Sequence, residues 1–327
     1  MNLALLYRFA VAAGVSVWAG AAAADDAARD WLERMSEGAQ SINYIGSFIY
    51  QRGERVDTMR IVHAAGEREK LSSLNGPMRE VVRDNHAVTC IFSDQQSVMV
   101  NRSRPREPVA VRFPTDIAGI ERYYRFELDG DDRVAGRPCR VIAVVPRDSY
   151  RYGRKLCLDE ANNLLLRSEL TDNTGHVIEL VMYTEIEFPQ SIADDEFKPD
   201  ADEKGYHWVR QPDVADDADQ APAAATAAQS AWAVDKVPEG FTLVDYMRHR
   251  LGQEPQDVDH WVFGDGLANV SLYIEKAKPD ENTYSGVSSR GGLNAYGTMT
   301  EGHHVTVVGE VPLATLEMIG KSVHRKP

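Results

Sequence analysis

Cysteine, basic residues and long apolar runs are all scarce in this sequence, and each scarcity excludes something. Three cysteines among 327 residues cannot staple a disulfide-rich scaffold, and the odd count leaves at least one thiol unpaired. With 36 basic against 50 acidic side chains, the average surface repels nucleic acid and anionic membrane. Any anionic partner must therefore find a local basic patch. Beyond the N-terminus, no stretch approaches the roughly 20 apolar residues that a spanning helix needs. Catalytic signatures are missing as well: there is no Gly-x-Ser-x-Gly elbow, no Walker loop and no Gly-x-Gly-x-x-Gly between a strand and a helix. The nine histidines are scattered, and the adjacent His303 and His304 would point to opposite faces of a strand, unable to share a metal. The chain is read as non-enzymatic, with no cofactor and no metal.

The one apolar run that is present lies at the start. Arg8 is the only charged side chain among the first 24 residues, Phe9 to Trp18 is almost wholly apolar, and an alanine-rich run reaches Ala24 before Asp25-Asp26. That pattern predicts a secretory signal peptide over 1–24, cleaved after Ala22-Ala23-Ala24, and a mature protein soluble in the periplasm.

The mature chain opens with apolar residues at Ala28, Trp31, Leu32, Met35 and Ala39, the spacing of an amphipathic helix. Strand-like runs then dominate. Asn43 to Gln51 sets Tyr44, Phe48 and Tyr50 on one side and Ile45 and Ile49 on the other. Val56 to Ala64, Met78 to Arg83, Ala87 to Phe92 and Ser97 to Asn101 follow, broken by turn residues. A tighter meander runs through Cys139 to Val145, Tyr152 to Leu158, Leu164 to Leu170 and Val177 to Phe188. Sequential hairpins with few helices predict an α+β, mainly β protein built on an antiparallel sheet. Several strands are apolar on both faces, so one face must meet a helix, another sheet or a lipid-like ligand. Tyr44, Phe48, Tyr50, Met59, Ile61, Val81 and Phe92 are candidates to line such a lipid cavity, and each also reads as ordinary core.

The composition changes after Asp194. Asp213 to Asp219 is acidic and Ala221 to Ala228 is mostly alanine, so 25–200 is read as a large domain and 201–231 as a flexible linker. A small C-terminal α+β domain is expected over 232–327. It begins with a strand at Thr242 to Arg248 and continues with a hairpin turning on Gly264-Asp265-Gly266. A glycine-rich stretch from Gly291 to Gly297 precedes a strand at His304 to Val308, and a helix starts at Pro312.

Two residue groups carry further information. Cys139 and Cys157 lie nine residues either side of Asp148. A hairpin centred there would set them opposite one another, within reach of a disulfide, although two small buried hydrophobes fit equally. Cys90 reads as a free core thiol. Arg102, Arg104, Arg106 and Arg112 form a basic loop interrupted by Pro105 and Pro108. It reads either as a solvated loop or as a docking patch for an anionic headgroup or acidic peptide.

A series of short motifs resembles the MucB/RseB family. In the first half these are Asn75-Gly76-Pro77-Met78-Arg79-Glu80-Val81-Val82, Arg137-Pro138-Cys139-Arg140-Val141-Ile142, Pro146-Arg147-Asp148, Tyr150-Arg151-Tyr152, Leu158-Asp159 and Leu164 to Leu170. In the second half they are Pro238-Glu239-Gly240-Phe241, Asp265-Gly266-Leu267 and Val307 to Pro312. The resemblance implies a large domain shaped like an unclosed β-barrel, similar to LolA and LolB, with a helix over its concave face. It also implies partners. These are the periplasmic segment of an RseA/MucA-type anti-sigma factor, shielded from the site-1 protease of envelope-stress signalling, and lipopolysaccharide or another acyl lipid that relieves the shielding. Self-association into a homo-oligomer is compatible with it, and nucleic acid is not a partner. A periplasmic lipid carrier of the LolA type is the alternative, against which the second domain argues.

Overall fold

The computed structural model describes residues 26–35, 41–65, 68–84, 87–102, 116–200, 204–210, 227–251, 256–277 and 285–327. The predicted signal peptide and most of the predicted linker lie outside them. Among the described residues, no helix is long and apolar enough to cross a membrane.

The large domain is one twelve-stranded sheet. Its first six strands are β1 (Tyr44–Arg52), β2 (Arg55–Ala64), β3 (Arg68–Ser73), β4 (Arg79–Arg83), β5 (Ala87–Phe92) and β6 (Ser97–Arg102). The next five are β7 (Tyr124–Val134), β8 (Arg137–Pro146), β9 (Gly153–Asp159), β10 (Leu165–Thr171) and β11 (Val177–Glu187), and β12 (His207–Arg210) follows. The order β12-β6-β5-β4-β3-β2-β1-β11-β10-β9-β8-β7 joins two meanders through β1 and β11 and leaves β12 and β7 as separate edges. The sheet is therefore an unclosed barrel. All its ladders are antiparallel except β6–β12.

A helix over residues 26–35, α1, covers one half of the sheet. Ala28, Leu32 and Met35, spaced four and three apart, are buried with Ile142, Val144, Leu156 and Leu158 of β8 and β9. The short helix α2 (Ile117–Ile120) adds both its isoleucines to that cluster. On β2 to β4, a strap lies along the outer face. Asp194 pairs with Arg68 at 2.7 Å, Glu196 with Arg60 at 2.9 Å, and Asp200 with the buried Lys70 at 2.8 Å. Residues 194–200, where the composition turns acidic, are thus bound to the sheet.

The small domain has a six-stranded antiparallel sheet. Its strands are β14 (Thr242–Leu251), β15 (Gln256–Gly264), β16 (Asn269–Lys276), β17 (Gly286–Arg290), β18 (Leu293–Thr300) and β19 (His303–Gly309), in the order β14-β15-β16-β19-β18-β17. Pro312 caps α3 (Leu313–Lys321), which buries Leu316 and Ile319 beside Val305 and Val307. A two-stranded ribbon, β13 (Trp232–Val234) with β20 (Val323–Arg325), ties the beginning of the domain to its end.

The structure refines several sequence expectations. The glycine-rich stretch before β19 holds the turn of the β17–β18 hairpin, Gly291-Gly292, and then strand β18, which runs on through Gly297. Strand β12 lies on the sheet edge, with Trp208 47% exposed. Cys90 is half-buried rather than core, and burial raises its thiol pKa. Cys139 and Cys157 are joined by a disulfide with Cα atoms 5.4 Å apart. They are not directly opposite, however. Cys139 pairs with Asp159 and Cys157 with Val141, so the bridge is diagonal and the hairpin centres on Ser149.

Candidate functional site: a cavity closed by the domain junction

The ladder register sets the candidate cavity residues side by side. Phe48 pairs with Met59, Ile61 with Leu71, Leu71 with Val81, and Arg79 with Phe92. Because alternate residues share a face, Tyr44, Phe48, Tyr50, Met59, Ile61, Val81 and Phe92 all lie on one face of β1 to β5. Packing then separates them. Tyr44 and Ile61 are fully buried core, with the Tyr44 ring stacked on His63 at 4.7 Å. Val81 and Phe92 are only partly buried. Phe48, Tyr50 and Met59 line a cavity of about 890 Å³, within the ~300–1,000 Å³ typical of small-molecule sites.

The cavity belongs to both domains. Leu71, Leu170 and Val181 extend its apolar wall from the large sheet, while Leu267, Ala268, Arg290 and Glu310 close it from the small domain. Arg52, Arg79 and Arg154 add positive charge and Asp57 and Glu179 negative charge. An apolar floor with a charged rim suits an amphiphile. Tyr50 donates to Glu179 at 2.8 Å, and burial, reinforced by this bond, raises its phenol pKa. Among the described residues, no group of three or more His, Cys, Asp or Glu is arranged to hold a metal. Arg102 closes β6, and Arg104, Arg106 and Arg112 lie outside the described residues.

The junction is held by a feature that sequence reading missed. Arg151, at the tip of the β8–β9 hairpin, has a side chain 0% exposed. Its Nε donates to Asp265 Oδ2 at 2.7 Å, its Nη1 to Asp148 and its Nη2 to the Glu239 carbonyl. The guanidinium also lies over the rings of Tyr123 and Phe241, 4.7 and 4.9 Å from their centroids. Asp265 in turn accepts from the Tyr124 hydroxyl at 2.9 Å and from the backbone N–H groups of Leu267 and Ala268. Burial, followed by the nearby Asp265 charge, raises the Tyr124 pKa. Breaking a buried pair strands a charge and costs about 3–5 kcal/mol. The Asp-Gly turn is a turn, as expected, but its aspartate is also the anchor between domains.

A second set of contacts borders the cavity. Arg154 pairs with Glu310 at 2.5 Å, Asn294 donates to the Tyr152 hydroxyl at 2.8 Å, and the Gly292 N–H donates to Glu179 at 2.8 Å. Thr315 at the start of α3 donates to the Tyr150 carbonyl at 2.6 Å. Glycine is required at two contact points. A Cβ on Gly240, whose φ is +90°, would strike the Tyr123 ring and lie 2.7 Å from Arg151 Nη2; one on Gly292 would strike Leu170.

The motifs that carried the resemblance meet here: Asp148, Tyr150-Arg151-Tyr152, Glu239-Gly240-Phe241, Asp265 and Glu310 all belong to the junction. Comparison with known proteins is consistent with that convergence. A family model described as the MucB/RseB N-terminal domain matches residues 27–201, and one described as the MucB/RseB C-terminal domain matches 226–324. The sigma factor AlgU regulatory protein MucB of Pseudomonas aeruginosa is 32% identical over 308 residues, covering 90% of each chain. A crystal structure of MucB in complex with MucA(peri) superposes with a TM-score of 0.70 at 29% identity, covering 92% of this chain and 99% of that one. A crystal structure of MucB alone, also 29% identical, gives 0.60 over 92% of this chain and 98% of that one. Both domains match in order, and the chain belongs to the MucB/RseB family of sigma-factor regulators.

Proposed function

We propose that this protein works in the periplasm, where it binds the periplasmic segment of a MucA/RseA-type anti-sigma factor. It thereby shields that segment from site-1 proteolysis and keeps an envelope-stress sigma factor inactive. An acyl lipid such as lipopolysaccharide relieves the shielding by occupying the cavity. The observation that carries this reading is the match of both domains to a MucB crystallised with MucA(peri), at a TM-score of 0.70. The cavity supports the lipid half: its floor is apolar, its rim is charged, and both domains contribute to it. The proposal is of a binder whose chemistry is recognition, with Phe48, Tyr50 and Met59 as lipid contacts. The wider division into a signal peptide (1–24), a large domain (25–200), a linker (201–231) and a small domain (232–327) is part of the same proposal, with β12 extending the large domain to Arg210.

Lipid releases a partner only by preferring the partner-free arrangement. Taking the complex from nearly all formed to nearly all released requires a preference of about 10⁴, or roughly 5.5 kcal/mol. At about 0.8 kcal/mol per buried methylene, about seven methylenes supply that. The test is titration of an anti-sigma periplasmic segment into the mature protein, with and without lipopolysaccharide, and into a Met59→Trp variant that fills the cavity. Tight binding abolished by lipid in the parent, and preserved in Met59→Trp, is the expected result. Equal affinity with and without lipid in the parent would remove the switch, and no binding in any arm would remove the partner.

A further inference from the structure

We infer that the two domains are joined by a latch of unequal halves: a permanent pivot at Arg151 and Asp265, and a breakable rim at Arg154–Glu310 and Glu179–Gly292 that opens when the cavity is occupied. The two halves differ in what separation leaves behind. At the pivot, both carboxylate and guanidinium are fully buried. Removing Asp265 and the Glu239 carbonyl would leave Arg151 with only Asp148, at an apolar surface formed by Tyr123 and Tyr124. Charges buried without their partners are the costliest separation a protein interface can make.

At the rim the same movement strands nothing. Arg154 and Glu310 are 15% and 39% exposed, so water takes over each charge as the pair parts. Glu179 loses the Gly292 N–H but keeps the Tyr50 hydroxyl at 2.8 Å and Arg52 at 3.7 Å, both from its own domain. Position matches energetics. Arg154, Glu179 and Glu310 line the cavity, whereas Arg151, Asp148 and Asp265 do not. An occupant therefore presses on the weak half and never reaches the strong one, and the small domain swings about Arg151 without detaching. The turn Gly266-Leu267-Ala268 both follows Asp265 and lines the cavity, so it is the point where rotation about the pivot changes the cavity wall.

This inference goes beyond the partner reading and needs neither an anti-sigma factor nor a lipid to test. Spin labels are attached at Leu74→Cys and Arg290→Cys, on the two sides of the cavity mouth, in a full-length mature protein carrying Cys90→Ser. The distance distribution is measured alongside calorimetric unfolding. The parent is expected to give one narrow distance and one transition. Glu310→Gln is expected to add a longer, still defined distance with one transition retained, because the pivot survives. Arg151→Met is expected to abolish the defined distance and split unfolding into two transitions. If that variant does not fold, Arg151→Lys replaces it: the ammonium keeps the charge but cannot reach Asp148, Asp265 and the Glu239 carbonyl together, and its distribution is expected to be broader than that of Glu310→Gln. The inference is overturned if the Arg151 variants keep the parent distribution, if Glu310→Gln does, or if both loosen the molecule to the same extent.

Discussion

The two halves of the large sheet share one architecture and meet different fates. Strands β7 to β9 turn their concave face to α1 and α2, and Leu32, Ile142, Leu156 and Leu158 fill the gap completely. Strands β1 to β4 turn the corresponding face to an open cavity, and a second domain stands where a helix would otherwise pack. A covered half supplies stability, while an uncovered half offers apolar surface to something else. On the reading proposed above, the uncovered half is the ligand face.

Four measurements break or sharpen this contrast. The largest effect belongs to the covered half: Leu32→Ala is expected to cost about 2–5 kcal/mol in urea unfolding while leaving uptake of a fluorescent amphiphile unchanged. Next comes the bridge between β8 and β9. Replacing Cys139 and Cys157 together by alanine removes a short closed loop and is expected to cost about 3 kcal/mol. Thiol counting on the denatured, unreduced parent should find one reactive thiol, whereas three would mean the bridge is absent. The third measurement moves to the open half. Met59→Ala is expected to cost less than about 1.5 kcal/mol, since one side of that residue already borders a void, and to weaken amphiphile uptake. Equal stability losses at Leu32 and Met59 would mean that the halves do not differ.

The smallest effect concerns the strap outside β2 to β4. The bond from Lys70 holds the Asp200 carboxyl below its ordinary pKa. A depressed carboxylate contributes stability that is complete above its unfolded value, about 3.9, and is lost as pH falls through the lower folded value. Hydrogen exchange of 194–200 should therefore accelerate in acid below about pH 4, and Asp200→Asn should remove that pH dependence. Exchange equally slow on both sides of that range would mean that the pair does not hold the strap.

The meanders were legible because alternation of β-branched and aromatic residues is a local signal, and β1, β8 and β11 fall within a residue or two of the runs that predict them. Strands β3 and β7 were not. Arg68-Glu69-Lys70 looks like solvated surface, yet Glu69 and Lys70 are buried because His63 and Glu80 pair with them across the sheet. In β7, Asp129, Asp131 and Asp132 are matched by Lys155, Arg140 and Arg167 from elsewhere in the sheet. Charges neutralised by distant partners cannot be recognised from their neighbours in sequence. The same limit hid the junction: Arg151 and Asp265 lie 114 positions apart, and each alone is an ordinary turn residue. The signal that was present was collective, since the short motifs from both halves converge in space. Of the seven candidate cavity residues, alternation placed the face correctly, but only curvature and the second domain determine that Phe48, Tyr50 and Met59 reach the cavity and Ile61 does not.

One consequence of the Arg151 contacts concerns the backbone between Arg210 and Ala227. If the modules adhere through a buried charge cluster, the covalent connection serves only to keep their local concentration high. A molecule cut there would still migrate as a single particle. The two pieces, produced separately and mixed, would find each other and restore a cavity that neither encloses alone, much as the halves of a broken seal fit only each other.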